Sequence, residues 1–477
     1  MMKTMTLSLL IAGVLSGCSL APKYVRPDAP VAASYPTQEQ ATQDDKAAHA
    51  ADIGWRNFFP DQRLQALIGL ALQNNRDLRV AALRMEEARG LYNIQSADLF
   101  PHLNAVATGS RGRTPASLSA TGTSVVSSDY QVGLSLASFE LDFFGRVRSL
   151  SDAALASYLA TEEAQRAAQI SLVAEVAKAY LAERAYAEQL ALAENTYKSR
   201  SEAYALSKQR FEVGASSALD LRQDEVLLQT ARVSQLTLAR QRAQAWNALT
   251  LLVGQPLPDN LPPARPLADQ QIVADIPPGL PSDLLTQRPD IRSAEQSLLA
   301  ANANIGAARA AFFPQISLTA GIGTASNQLS GLFDSGSRAW SFAPQMVLPI
   351  FAAGANVANL SVANVRKKIE IANYEKAIQT AFREVADALV ARGLLDEQIK
   401  AQESVQAAQA ERLKLTDARY KNGIASSLEM LQAQQDLFSS ELDTVQVRLL
   451  RLTNAVDLYA ALGGGLLETT APVASTK

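Results

Sequence analysis

Apolar residues recur at helical spacing along most of the chain, and the pattern predicts unusually long helices. Leu64, Leu67, Ile68 and Leu72 mark a short helix at 62–74 that breaks at Asn74-Asn75. The next helix, 77–99, stops at Phe100-Pro101. Its copy opens at Pro289-Asp290, with proline in the first helical position, and stops at Phe313-Pro314. The stretches 146–213 and 355–422 contain no proline, so each reads as one helix of about 68 residues, ~100 Å long at ~1.5 Å per residue. Helices of about 37 residues return at 217–253 and 426–462, closed by Gly254 and by Gly463-Gly464-Gly465. Phe438, Leu442, Val445, Leu449, Leu452, Val456 and Tyr459 alternate steps of four and three, a coiled-coil seam. Val233 and Leu236, followed by Arg240, make a weaker seam in the first half. A 23-residue and a 37-residue helix together nearly match one of 68, so the two shorter ones are expected end to end beside a long one.

Between these helices the period falls to two. Ile316, Leu318, Ala320 and Ile322 alternate with Gln315, Ser317, Thr319 and Gly321; Tyr130, Val132, Leu134 and Leu136 alternate with Gln131, Gly133, Ser135 and Ala137. Strands are expected near 101–110, 130–140, 314–323 and 340–350, with Gly/Ser/Thr-rich loops at 110–128 and 323–338. Aromatics gather near the strand ends: Phe100, Tyr130, Phe139, Phe143, Phe144, Phe313, Trp340, Phe342 and Phe351. About ten residues is the length of a tilted membrane-crossing strand.

The chain is a duplication. Arg210, Gly214, Ser217 and Gly254 recur 209 residues later as Arg419, Gly423, Ser426 and Gly463; Asp77 and Pro101 recur 213 later as Asp290 and Pro314. Four residues are therefore missing from the second copy in one loop. Around Gly214 and Gly423 lie the two breaks between long helices. Each reads as a sharp turn with glycine as left-handed C-cap, a serine N-cap three residues on, and Asp220 or Glu429 completing a capping box. The expected organisation is a signal segment at 1–17, an extended arm at 18–61, repeat one at 62–254, a Pro-rich linker at 255–275, repeat two at 276–464 and a tail at 465–477.

Net charge is −3, from 44 basic and 47 acidic residues, and no Lys/Arg block supports nucleic-acid binding. One cysteine and two histidines, His49 and His102, exclude a disulfide framework and a Cys-based metal site. No catalytic set or phosphate-cradling loop is present, so neither an enzyme nor a cofactor is expected; His102 at a strand start is read as structural. Lys3 precedes an apolar run too short to span a bilayer, which ends at Leu15-Ser16-Gly17-Cys18. That ending resembles the bacterial lipoprotein box, in which Cys18 is acylated; Ser19 resembles the sorting residue of outer-membrane lipoproteins.

Four strands cannot close a barrel, and an open edge cannot sit in lipid, so the strands imply an oligomer: eight strands from two chains or twelve from three. The alternatives are a soluble β patch on a helical body, or a coiled-coil lipoprotein scaffold without a channel. The motifs carry a resemblance from Cys18 to Gly465: Leu15-Ser16-Gly17-Cys18, Asn75-Arg76-Asp77-Leu78-Arg79, Arg288-Pro289-Asp290-Ile291, the run Ala301 to Pro314, Tyr374 to Gln379, and the two turns. The chain resembles a TolC-like outer-membrane factor of the OprM/NodT lipoprotein branch, which serves resistance-nodulation-division (RND) efflux pumps. The resemblance implies a mainly α fold with a small membrane β-barrel: a homotrimer forming a 12-stranded barrel continued by a long periplasmic α-helical barrel. It implies outer-membrane lipid around the barrel, a periplasmic membrane-fusion adaptor at the helical tips and an inner-membrane RND transporter. It places the adaptor-facing surface on Val213, Gly214, Ala215 and Ser216 with Asn422, Gly423, Ile424 and Ala425. It places the constriction on Leu428, Glu429 and Gln432, and a polar contact linking the tips on Asp220 and Tyr420. Gln432 stands where relatives often carry Asp, and Ala425 where some carry a basic residue. For Asp220 and Glu429, helix capping alone is the plainer role. Metal-ion efflux and type I secretion share the same architecture.

Overall fold

The computed structural model describes residues 19–35, 50–120, 122–273, 276 and 281–470. The expected signal segment, the lipidation site Cys18 and residues 471–477 of the tail lie outside them. In chain order the main elements are α1 (Gln62–Asn74), α2 (Arg76–Ala97), β1 (Leu103–Thr114), β2 (Val125–Glu140), α3 (Arg146–Glu212), α4 (Ala218–Val253), α5 (Pro289–Ala310), β3 (Gln315–Ser326), β4 (Arg338–Val347), α6 (Ala355–Lys421) and α7 (Ser427–Ala461). Helices α3 and α6 are 67 residues each and begin 209 residues apart. Neither contains a proline, so nothing interrupts the backbone ladder. Among the described residues no helix is long and apolar enough to cross a membrane.

The chain divides into two compact units, each drawing on both repeats: residues 1–28, 84–162 and 293–375 in one, 29–83, 163–292 and 376–477 in the other. The first holds an antiparallel sheet in the order β1-β2-β3-β4. The strands reach further into the Gly/Ser/Thr-rich segments than expected. Arg111 pairs with Ser128 and Thr114 with Val125, which leaves only 115–124 as the loop. Small polar residues resemble a loop by composition, yet they suit a strand face that borders water. The register slips between Leu136 and Phe139, where Ser138 takes φ 51°. This bulge turns Phe139 onto the face of Leu136.

In the same unit the extended segment from Leu20 to Arg26 runs antiparallel along α5. Arg309 donates to Leu20 O at 3.1 Å, Asn302 to Pro22 O at 2.8 Å, and Arg26 binds Glu295 through two bonds of 2.7 and 2.8 Å. Tyr24 adds a 3.0 Å bond to Glu295. A Cβ on Gly306 would lie 2.8 Å from Ala21 N, so only glycine lets the arm approach so closely. The other side of α5 meets α3, with Ser293 Oγ donating to Ala160 O at 2.8 Å. Ala153, Ala156 and Ala160 of α3 are buried. Their repeat partners on α6, Val362, Val365 and Ile369, are 49%, 50% and 52% exposed although they are larger and more apolar. Likewise α5 buries Leu298 and Ile305, whereas α2, its copy, buries nothing.

The second unit has an aromatic core of its own. Residues expected as irregular arm form a 3-10 turn at Ala50–Asp52 and a helical turn at Trp55–Phe58 instead. Phe58 stacks on Tyr459 at 3.9 Å, and Phe59 meets Phe58 edge-on at 4.6 Å. Asp61, 2% exposed, caps α1 by accepting from Arg63 N at 2.8 Å and also accepts from Tyr180 Oη and Gln270 Nε2, both at 2.8 Å. Burial, then the Asp61 hydrogen bond, raise the Tyr180 phenol above its ordinary pKa. The predicted end-to-end meeting of short helices occurs twice. Asn75 Nδ2 donates to Leu252 O at 2.8 Å, and 209 residues past that carbonyl Arg288 Nη1 donates to Ala461 O at 3.0 Å. The seam from Phe438 to Tyr459 packs inward, with Val445, Leu452 and Val456 buried. The weaker seam is corrected: Val233 and Leu236 face outward, and α4 buries Leu228, Ala231 and Leu238. Arg240 breaks the first pattern, so the apolar stripe that packs is the neighbouring one.

Candidate functional site: sheet faces and helical tips

Residues opposite one another in an antiparallel ladder share a face. Leu103, Leu136, Ala320 and Phe342 form one cross-strand row, and Ala105, Leu134, Ile322 and Trp340 the next. The other face carries the rows Asn104, Ser135, Gly321, Ser341 and Val106, Gly133, Gly323, Ala339. One face is apolar and aromatic; the other carries mostly small residues, with Asn104, Ser135 and Ser341 polar among them. Strands of 12, 16, 12 and 10 residues suffice to cross a bilayer, and this alternation is that of a barrel with lipid outside and water inside. On the polar face Gly133 and Gly323 oppose each other so closely that a Cβ would lie 2.5 Å from Ile322 O or 2.2 Å from Val132 O. The alternation marked Gly133 as a polar-face position but not as a close approach; glycine inside a strand was the available signal. Below the sheet, Arg146 pairs with Glu140 at 2.6 Å, Gln315 donates to the same carboxylate, and Phe144 stacks on Phe313 at 4.9 Å.

The helical tips are built as expected at the backbone. Gly214 and Gly423 take φ 76° and 72°. Ala215 N closes the first turn onto Arg210 O at 2.7 Å, and Ile424 N closes the second onto Arg419 O at 2.9 Å. Ser217 and Asp220 form a complete capping box. At the second tip Ser426 Oγ accepts from Glu429 N at 3.2 Å, but the reciprocal half is missing: the Glu429 carboxylate lies 3.9 Å from Arg419 across the turn. Among the described residues the Asp220–Tyr420 hydrogen bond does not form within the chain. Asp220 Oδ2 accepts from Ser217 Oγ at 2.7 Å instead.

Val213, Gly214, Ala215, Asn422, Gly423 and Ile424 are exposed at the tips, and Ser216 is half-buried. Ala425 departs from the expected surface: it is 8% exposed, since the residue before an N-cap packs back onto its own turn. Leu428, Glu429 and Gln432 are all exposed on the first turns of α7. Leu428 and Leu431 line a groove with Leu219, Val226 and Leu227 of α4, and Gln432, Arg222 and Gln223 edge it with polar groups. Beside it Arg412 pairs with Asp436 at 2.7 Å.

The outer membrane efflux protein family matches residues 67–255 and 280–464, one segment in each repeat. The chain belongs to that family. Like the toluene efflux pump outer membrane protein TtgC of Pseudomonas putida, this outer membrane efflux protein spans nearly the full length of the shared sequence: the two are 48% identical over 98% of this chain and 97% of TtgC. Outer membrane protein OprJ of Pseudomonas aeruginosa is 49% identical, over 96% of this chain and 95% of its own. The crystal structure of the open state of the MtrE outer membrane channel of Neisseria gonorrhoeae superposes with a TM-score of 0.87 at 43% identity, covering 95% of this chain and 100% of MtrE. The efflux protein thus has the fold of the TolC-like outer-membrane channels and resides in the outer membrane, and its two-faced sheet is the membrane-crossing part.

Proposed function

We propose that three copies form a passive exit duct of a tripartite efflux pump, with a 12-stranded barrel continued by periplasmic helices. The observation that carries the reading is the inequality of the repeats. In the first unit, α5 covers Ala153, Ala156 and Ala160 of α3, while the matching Val362, Val365 and Ile369 of α6 and the whole of α2 lack cover. A second copy supplies it: α2 of one chain lies on α6 of the next as α5 lies on α3. The free edges β4 and β1 then pair antiparallel around a closed ring, which removes unpaired backbone from lipid. The repeat offsets convert the Gly306–Ser149 approach into Asn93 against Ala358 of a neighbour. A chain carrying Asn93→Cys, Ala358→Cys and Cys18→Ser is expected to give, on oxidation, covalent species of two and three chains and nothing larger. Monomers throughout, or a ladder that stops at two, would remove the trimer.

The duct carries no catalytic chemistry and no cofactor. Its cargo class is small apolar toxic compounds, by extension from relatives named for toluene and antibiotics. An RND transporter supplies the energy, and a membrane-fusion adaptor meets the tips around Val213 and Ile424. Cys18 carries the acyl anchor. The domain layout follows the two repeats, 62–254 and 276–464, with the 255–275 linker between them.

Leu428, Glu429 and Gln432 form the periplasmic constriction, where three copies of an exposed Leu428 narrow and dewet the pore. Asp220 and Tyr420 lock it only when Asp220 exchanges its Ser217 partner. Leu428→Ala is expected to raise single-channel conductance in planar bilayers at least twofold. Tyr420→Phe separates locking from capping, because Tyr420 caps nothing. A Leu428→Ala trimer with unchanged conductance would place the gate elsewhere.

A further inference from the structure

Between residues 103–140 and 315–347, which hold the four strands and their two loops, the only basic residues are Arg111, Arg113 and Arg338. All three belong to the apolar face. Arg338 shares a row with Thr324, Val132 and Ala107, while Arg111 and Arg113 follow Leu103, Ala105 and Ala107 at steps of two with no bulge between. All three also sit at the loop end of their strands, and all are exposed. The acidic residues do not answer them. Asp129 pairs with Ser110 on the opposite face, Glu140 binds Arg146 at the other end of the sheet, and Asp334, in the loop before Arg338, forms no ion pair with the three arginines among the described residues. Arg113 has a 3.3 Å bond to the Ser124 hydroxyl, which leaves its charge uncompensated.

An arginine on a lipid-facing position is unfavourable in hydrocarbon and tolerable only where its head reaches polar groups. From Leu103 to Arg113 is ten residues, ~34 Å along the strand at ~3.4 Å each, and a strand tilted by ~40° rises ~26 Å over that length, close to the ~25 Å height of an apolar band; Arg111 sits ~5 Å lower. Trp340, two residues inside Arg338, and Tyr130, opposite Gly109, stand where an interfacial aromatic girdle would. With their side chains extended toward the loops, the guanidinium groups therefore reach the depth of lipid headgroups on the loop side of the sheet. Ring closure of β4 against the next chain's β1 brings Arg338 of one copy beside Arg111 and Arg113 of its neighbour on that same face, three times per barrel.

We propose that each of these seams binds the phosphate groups of an outer-leaflet glycolipid of the lipid A kind, with its acyl chains lying on the apolar rows below. Planar, always charged forks suit a phosphorylated sugar, which each guanidinium can grip through two oxygens. The proposal rests on the barrel reading above.

The test uses purified full-length trimer in detergent, incubated with diphosphoryl lipid A, with dephosphorylated lipid A, or with phosphatidylglycerol, and examined by native mass spectrometry. The wild type should retain up to three lipid A molecules, at least tenfold more tightly than either other lipid. Arg111→Gln/Arg113→Gln/Arg338→Gln should lose that preference while keeping its conductance and, when placed in the Asn93→Cys/Ala358→Cys/Cys18→Ser chain, the three-chain cross-link. Equal retention of lipid A by wild type and variant overturns the site, as does equal binding of dephosphorylated lipid A or phosphatidylglycerol by the wild type. An Asn93→Cys/Ala358→Cys/Cys18→Ser chain that gives no three-chain cross-link overturns the barrel reading, and the seam with it.

Discussion

Gly323→Val is expected to abolish the heat-modifiable oligomer and reduce efflux to the level of a deletion strain. The Cβ of any residue at 323 would sit 2.2 Å from Val132 O and 2.6 Å from Gly133 Cα, where real Cβ atoms are not found. Both neighbours are backbone, so no side chain can rotate away. β2 and β3 must separate at their middle, breaking ladder bonds in the strands that join the two halves of the sheet. In lipid each freed backbone group costs several kcal/mol, far more than it would on a soluble sheet. Gly321→Val is the control: its nearest neighbour would be the Ser341 hydroxyl at 3.1 Å, which can move, so most of the trimer should survive. A Gly323→Val protein that migrates as a heat-modifiable trimer and restores drug tolerance would show that the sheet can relax around the contact.

The second large effect is expected at Asp61→Ala. This carboxylate caps α1 and receives Tyr180 and Gln270 in a site closed to water. Removal leaves the buried Tyr180 hydroxyl and a helix N-terminus without acceptors, and leaves Gln270 Nε2 only its 3.3 Å bond to Arg265 O. At about 1–3 kcal/mol for each orphaned group, the loss is roughly 3–5 kcal/mol. The variant should lose several degrees of apparent melting temperature and be cut by protease near the α1 segment, while Asp61→Asn, which keeps one acceptor, should lose about half as much. An unchanged melting curve for Asp61→Ala would mean that water fills the site and replaces the carboxylate.

The two cases differ in how far the residues announce them. The long helices were legible because proline is absent and the 3.5-residue seam from Phe438 to Tyr459 is strict; the structure buries that seam. The helix turns were legible because a left-handed glycine followed by a serine cap has few other uses. Strand ends were not, since Gly112, Ser127 and Ser128 have the composition of a loop and only their cross-strand partners make them strand. Of the candidate site, the positions of the tips followed from local chemistry, but Ala425 did not. Its burial depends on how the second turn folds back, and no single residue encodes that. The Asp61 hub was invisible for a similar reason: Tyr180 and Gln270 lie 119 and 209 residues away.

The joints at Asn75 and Arg288 have a mechanical consequence. Where α4 ends beside α2, and α7 beside α5, the helical ladder stops, and the joint is bridged by side-chain bonds to Leu252 O and Ala461 O and by close backbone packing at Gly254 and Gly463. Such a bond is worth about 0.5–1.5 kcal/mol, whereas bending an unbroken helix sharply requires proline, a bulge or an inserted group. Stiffness is therefore unequal within each repeat: α3 and α6 act as unbroken beams, and α4 and α7 as beams pinned at one end. Torque applied at the tips would turn α4 and α7 about their pins, and these are the helices that carry Leu219 and Leu428.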